Sequence, residues 1–141
     1  MRRPWHLWLV GIVSFLWNGI QAADYTMAKL QLPAYVAQMQ PEQLAFFEGF
    51  PLWASATWAI AVWGALLGSI LLLAREGSAA IVFAIAFLAM IATGVYTTLL
   101  AEPSMIDMAG LGPALLSGLI VLVGLGLWIY ARAMRQRGVL N

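Results

Sequence analysis

The sequence contains no cysteine and a single histidine, His6. The lack of cysteine excludes disulfides, thiolate metal sites and thiol redox catalysis. One histidine per chain also excludes a bis-histidine haem site within a single copy. Charged residues are few and nearly balanced, with a formal net charge of +1. This charge gives no indication of a nucleic-acid partner.

The small number of charges defines the class of protein. Charged residues make up 9% of the chain and hydrophobic residues 63%, whereas a soluble domain has about 25% charged residues. A chain of 141 residues is long enough for one domain. The composition therefore predicts a single membrane domain spanning residues 1–141.

Four uncharged apolar runs of 19 to 23 residues stand out: Trp5–Ala23, Leu52–Ala74, Ala79–Ala101 and Leu111–Ala131. A spanning helix needs about 20 apolar residues. Helices are expected here because lipid offers backbone groups no hydrogen-bond partner. The runs predict an all-α, four-transmembrane-helix bundle. The alternative for the first run is a cleaved signal peptide, but Ile20-Gln21-Ala22-Ala23 fits a small-residue cleavage site poorly.

The basic residues predict the orientation of the bundle. With four spans, six of the seven lysines and arginines fall on one side: Arg2, Arg3, Arg75, Arg132, Arg135 and Arg137. Lys29 falls on the other. Because cytoplasmic loops carry the excess of basic residues, both termini are expected in the cytoplasm. The chain has no eukaryotic targeting signal, so a bacterial inner membrane is the expected location, with the 24–51 loop in the periplasm.

The long loop between the first two spans contains helix signals of its own. Pro33 opens "PAYVAQM", and Pro41 opens "PEQLAFFEGF", in which Gly49 provides a stop. Proline suits the first position of a helix. We expect two short helices that lie on the outer membrane surface or cap the bundle.

Polar residues interrupt the first apolar run before it ends. At about 100° per residue, Ser14, Asn18, Gln21 and Tyr25 form one stripe. Polar residues of the other helices fall at similar depth, which predicts a polar layer in the outer half of the bundle and a dry inner half. The candidate ligand-binding residues are Asn18, Gln21, Asp24, Thr93, Tyr96, Thr97 and Ser117, with Glu48 at the mouth.

This layer has three alternative interpretations. Its side chains can bond helix to helix, as Asn, Gln, Ser and Thr do in membranes. They can instead line a pocket, since buried polar groups in membranes often mark a ligand path, or they can form an oligomer interface. Small residues on the inward faces, namely Gly64, Gly68 and Gly124, are expected to let the helices pack closely.

Motifs for chemistry are missing. The sequence has no HExxH, no P-loop, no nucleophile beside a base and no Glu-x-x-His pair. We therefore expect no enzyme activity, no catalytic residues, no metal and no cofactor. A proton-coupled exporter of the small four-helix type would need an acid near mid-membrane, and the middle of each predicted helix is uncharged.

Two stretches, "LWNGIQAADYTM" and "YVAQMQPEQLAFFEGFPLWASATWAIAVWGALLGSILLL", resemble a group of small four-helix inner-membrane proteins of proteobacteria. Members of this group sometimes bear the label of sugar transporter. The resemblance covers about half of the chain and implies no catalytic residues. A bundle of this size would have to oligomerise to move a sugar.

Together these observations predict a non-enzymatic accessory or interaction subunit of the inner membrane. Its expected partners are membrane lipids and either a larger membrane complex or further copies of itself. The alternative is a transporter-like binder or carrier of a small polar or amphipathic ligand, held in the outer half of the bundle. The two differ in whether the polar layer is packed shut.

Overall fold

The computed structural model describes residues 4–141, and these form helices without any strand. In chain order the helices are α1 (Trp5–Leu30), α2 (Pro33–Val36), α3 (Pro41–Glu48), α4 (Leu52–Leu73), α5 (Ser78–Val95), α6 (Met105–Ala109) and α7 (Leu111–Gln136). A π-helical turn, Tyr96–Leu100, extends α5. The four long helices are each apolar and long enough to cross a membrane. The prediction of an all-helical chain with four helices of spanning length is confirmed.

The long helices pack in an open series. α4 packs against α1 and α5, and α5 packs against α7, whereas α1 and α7 make little contact within residues 4–141. These two helices meet where α1 begins and α7 ends, with His6 Nδ1 2.6 Å from the Tyr130 hydroxyl oxygen. We call this the terminal end of the bundle, and the end with α2, α3 and α6 the loop end. The space left between α1 and α7 is called the seam.

The structure differs from the sequence prediction at the end of the first helix. α1 continues to Leu30, seven residues beyond Ala23. No glycine or proline lies between these positions, so the polar residues there remain helical although they end the apolar run. The helix stops at Gln31, which has a left-handed φ of 50° and donates its N–H to the Ala28 carbonyl.

Three glycines predicted to pack helices all face α5. An ideal Cβ at Gly68 would lie 2.7 Å from the Phe83 ring, and one at Gly64 would lie 3.3 Å from Ala86 Cβ. The third glycine, Gly124, comes close to a methionine of α5, and its added Cβ would lie 2.5 Å from that sulfur. The missing side chains therefore allow α4 and α7 to approach α5 closely.

The last residues of the chain fold back onto the turn between α4 and α5. Asn141 N–H donates to the Arg75 carbonyl at 2.8 Å, and Gly77 N–H donates to the Asn141 carbonyl at 2.8 Å. Val139 and Leu140 are buried in the core at the terminal end. The tail thus closes this end of the bundle with both backbone bonds and apolar packing.

Truncating Leu140 to alanine is expected to destabilise the protein by roughly 2 kcal/mol or more, because a buried leucine leaves a cavity behind. The measurement is the unfolding midpoint in detergent, followed by circular dichroism. Gln136→Ala, at an exposed position at the end of α7 just before the tail, is the control and should change the midpoint little. Equal midpoints for the two variants would show that the tail contributes no stability.

Candidate functional site

A cavity of about 320 Å³ lies inside the bundle at the loop end. All four long helices line it, and the segments around α3 and α6 complete its walls. Most of the lining is apolar, and the polar side chains among it are Gln21, Asp24, Thr93, Thr97 and Ser117. Small-molecule pockets start at about this volume and combine apolar walls with a few polar groups in the same way.

Three helices bring these five polar side chains together. Gln21 and Asp24 lie about one turn apart on the second half of α1, in and just beyond the apolar run. Thr93 and Thr97 are one turn apart where α5 passes into the π-helical turn, and Ser117 lies in the second turn of α7. Residues distant in sequence therefore meet at one depth because the helices run side by side.

The hydroxyl groups of the cavity are held by local hydrogen bonds. Thr93 Oγ1 lies 2.9 Å from its own helix's Ala89 carbonyl oxygen and 3.0 Å from Thr57 Oγ1 on α4. Thr97 donates to the Gly94 carbonyl at 3.2 Å. A hydroxyl that donates its proton to the backbone keeps its lone pairs as acceptors. These side chains can therefore still accept a hydrogen bond from a molecule in the cavity.

Asn18 does not belong to this cavity. Its side chain is 1% exposed, and Nδ2 donates to the Ala65 carbonyl at 3.1 Å and to Ser69 Oγ at 2.9 Å. The antiparallel register of α1 and α4 explains the difference, since Tyr25 is paired with Trp58 and Asn18 falls two turns further along. Asn18 thus bonds helix to helix and lies closer to the terminal end than the polar layer.

Glu48 and Tyr96 also lie outside the lining. Glu48 accepts a hydrogen bond from Gln31 Nε2 at 3.0 Å and borders a separate cavity of about 240 Å³. The Tyr96 hydroxyl donates to the Gly49 carbonyl at 3.3 Å, and its ring packs edge-on against Trp53. Both residues therefore hold the loop onto the helices instead of facing the cavity.

Three aromatic rings cover the cavity, and we call them the aromatic roof: Phe47, Phe50 and Trp58. Phe47 stacks on Trp58 with 5.4 Å between ring centroids and 19° between ring planes. Phe47 and Trp58 also border the 240 Å³ cavity, so the stacked pair separates the two spaces. This roof was not predicted from the sequence, although "FFEGF" shortly before Trp58 indicates an aromatic cluster.

A cation already lies on the aromatic roof. Lys29 Nζ donates to Ser55 Oγ at 2.6 Å and lies 5.9 Å from the centroid of Phe50 and 6.0 Å from that of Trp58. These distances are within the range of cation–π attraction. The rings of the roof are therefore placed where they can stabilise positive charge.

Asp24 is the ionisable side chain among the lining residues of the cavity. Its carboxylate accepts a hydrogen bond from the Tyr35 hydroxyl, which ties α2 to α1. Burial raises the pKa of Tyr35 above its usual value, and the hydrogen bond to Asp24 and the negative charge of that carboxylate raise this pKa further. Tyr35 therefore remains a neutral hydrogen-bond donor to Asp24 at neutral pH.

A second space of about 440 Å³ lies in the seam, nearer the terminal end. Its lining is almost wholly apolar and consists of Leu9, Val10, Val13, Ser14, Trp17, Val123 and Leu127. Trp17 of this space and Gln21 of the cavity are one helical turn apart on α1. The apolar space and the polar cavity therefore follow one another along the same two helices.

Within residues 4–141 no three His, Cys, Asp or Glu side chains lie close enough together to hold a metal ion. In the same range no buried side-chain nitrogen or oxygen lacks a hydrogen-bond partner. Comparisons of the chain with protein-family models, curated proteins and solved structures find no match. The site is thus a hydroxyl- and carboxylate-bearing cavity beneath aromatic rings.

Proposed function

We propose that this chain is a non-enzymatic, multi-pass membrane protein that binds a small amphipathic molecule in the cavity at the loop end. The observation that carries the proposal is the cavity itself, in which five polar side chains line an open volume of about 320 Å³. A layer that served helix packing alone would be closed by bonds between helices, as the one around Asn18 is.

The hydrogen bonds of the lining residues support this distinction. Gln21 Nε2 donates to the Trp17 carbonyl of its own helix at 3.4 Å, and Thr97 likewise donates within its own segment. These two bonds satisfy Gln21 and Thr97 without joining two helices, whereas Thr93 and Asp24 also bond to Thr57 and Tyr35 on neighbouring helices. Their remaining hydrogen-bonding capacity is available to a ligand that brings both polar and apolar surface.

We place the protein in a bacterial inner membrane with both termini in the cytoplasm. Arg75, Arg132 and Arg135 lie at the terminal end, while Lys29 lies at the loop end, and cytoplasmic segments carry the basic excess. Arg2 and Arg3, which the same prediction uses, lie outside the described residues. In this orientation the cavity lies in the periplasmic half of the membrane.

Native mass spectrometry of the protein, extracted gently from its own membrane, tests the proposal. We expect a retained small molecule on the wild type and its loss from Ser117→Trp, because the indole would fill the cavity. Leu119→Trp is the matched control, since Leu119 is on the same helix but exposed to the outside, and it should keep the molecule. Retention of the same molecule by Ser117→Trp would contradict the proposal.

The second candidate is an accessory or interaction subunit of a larger membrane complex or homo-oligomer. The observation that favours it is the exposed apolar surface of α7, because only 17% of the most apolar stretch of this helix is buried. Trp53 and Trp63 on α4 are exposed as well. A helix that faces lipid is also apolar, so this surface supports the accessory role less strongly than the cavity supports ligand binding. A stoichiometric protein partner in the same spectra, with no small molecule retained, would favour the accessory role.

A further inference from the structure

We infer that the cavity binds an amphiphile with an ammonium headgroup, whose alkyl chain lies in the seam between α1 and α7. This inference rests on the proposed function and names the class of ligand for the same site. It combines three features: a carboxylate in the cavity, an aromatic roof, and an apolar space that continues the cavity along the seam.

The chemistry of the headgroup follows from the charged and aromatic side chains. Asp24 supplies a negative charge, and the faces of Phe47, Phe50 and Trp58 supply the ring quadrupoles that attract cations. Lys29, which borders the separate 240 Å³ cavity, already places its ammonium group about 6 Å from the centroids of two of these rings. An anionic headgroup would instead face the negative charge of Asp24, which is unfavourable.

The seam between α1 and α7 indicates that the ligand has an alkyl chain. The lining of the 440 Å³ space is almost wholly apolar, and Leu9 and Val13 on its edge are exposed. Helices α1 and α7 make little contact within the described range. In a bilayer this space is open to acyl chains from the side. An alkyl chain therefore fits there while the headgroup reaches Asp24, about two turns from Trp17 along α1.

The charge of the headgroup can be tested with two probes of equal chain length. The purified full-length protein in dodecyl maltoside is titrated with dodecyltrimethylammonium or with dodecanoate, which carries a carboxylate on a chain of the same length and is used below its denaturing concentration, and the shift of the thermal unfolding midpoint is measured. We expect saturable stabilisation by the ammonium probe and none by the carboxylate probe. Equal responses to both probes would overturn the inference.

Asp24→Asn tests the carboxylate, because asparagine still accepts the hydrogen bond from Tyr35 but carries no charge. We expect the affinity for dodecyltrimethylammonium to fall about 10- to 100-fold, as for loss of a charged partner, with the unliganded midpoint nearly unchanged. Asp107→Asn removes the same charge from an exposed site on α6 and should leave the affinity unchanged. An unchanged affinity in Asp24→Asn would overturn the inference.

Val13→Trp tests the seam, since an indole at this position would fill the apolar space. It should weaken binding of dodecyltrimethylammonium about tenfold or more while leaving tetramethylammonium, which has no alkyl chain, unaffected. Ile12→Trp, on the adjacent exposed face of α1, is the matched control. Full affinity of the dodecyl probe for Val13→Trp would overturn the placement of the chain.

Lysophosphatidylcholine distinguishes the two sources of such a ligand, because it carries the same trimethylammonium group on a membrane lipid. Stabilisation by this lipid as well as by the probe supports a lipid ligand, and stabilisation by the probe alone supports a soluble amphiphile. A retained molecule that Ser117→Trp loses, but whose headgroup contains no ammonium group, would overturn this inference and leave the proposed function standing. If Ser117→Trp retained the molecule as the wild type does, both the proposed function and this inference would be contradicted.

Discussion

Replacing Asn18 by leucine is expected to destabilise the protein by roughly 1–3 kcal/mol. The Asn18 carboxamide donates two hydrogen bonds across to α4, one to the Ala65 carbonyl and one to Ser69 Oγ. Lipid offers no replacement for these bonds. The measurement is the midpoint of unfolding in mixed micelles with increasing sodium dodecyl sulfate, followed by circular dichroism.

Gln21→Leu is the matched control for this prediction. It removes the same kind of group one turn along α1, but the Gln21 carboxamide bonds to the Trp17 carbonyl of its own helix. We expect its midpoint to stay close to that of the wild type, while retention of a small molecule is reduced. A Gln21→Leu variant as unstable as Asn18→Leu would show that both amides hold helices together and that the polar layer is packed shut.

This pair of variants separates the two meanings of the polar layer. From the sequence, Asn18 and Gln21 belong to one stripe, so one interpretation had to cover both residues. In the structure, the pairing of α1 with α4 assigns the first to helix packing, and the gap between α1 and α7 leaves the second beside a cavity. Stability and ligand binding are therefore expected to respond to different residues.

Introducing valine at Gly68 is expected to have the second large effect, a loss of about 1–3 kcal/mol or failure to fold. An added Cβ at Gly68 would lie 2.7 to 3.0 Å from three carbons of the Phe83 ring. Phe83 is 2% exposed and lies in the core at the terminal end, so its ring has little space into which to move. The close approach of α4 and α5 would then be lost.

Gly126→Val is the control for the change from glycine to valine in a membrane helix. Gly126 lies on α7, and an added Cβ there would meet no heavy atom within 4 Å. Yield and unfolding midpoint of this variant should stay near the wild type. Tolerance of valine at Gly68 equal to that at Gly126 would mean that α4 and α5 do not approach as closely as the structure has them.

The sequence alone determined the class of the protein and the existence of its long helices. Few charges and four apolar runs predict helices of spanning length, because backbone groups in lipid must bond within their own segment. The first residues of α4 and α7, Leu52 and Leu111, can be predicted from the sequence, since a proline or glycine precedes each of them. The end of α1 was less well defined because its last turns are polar yet contain no helix breaker.

Only the tertiary structure decided which polar side chains share a site. Depth along a helix can be read from the sequence, and it grouped Gln21, Thr93 and Ser117, which line one cavity, with Asn18 and Tyr96, which do not. The register between helices cannot be read in this way, so the pairing of Asn18 with Ser69 was not foreseen. The seam and the aromatic roof arise from packing between distant segments, and packing depends on the shapes of side chains that no single periodicity encodes.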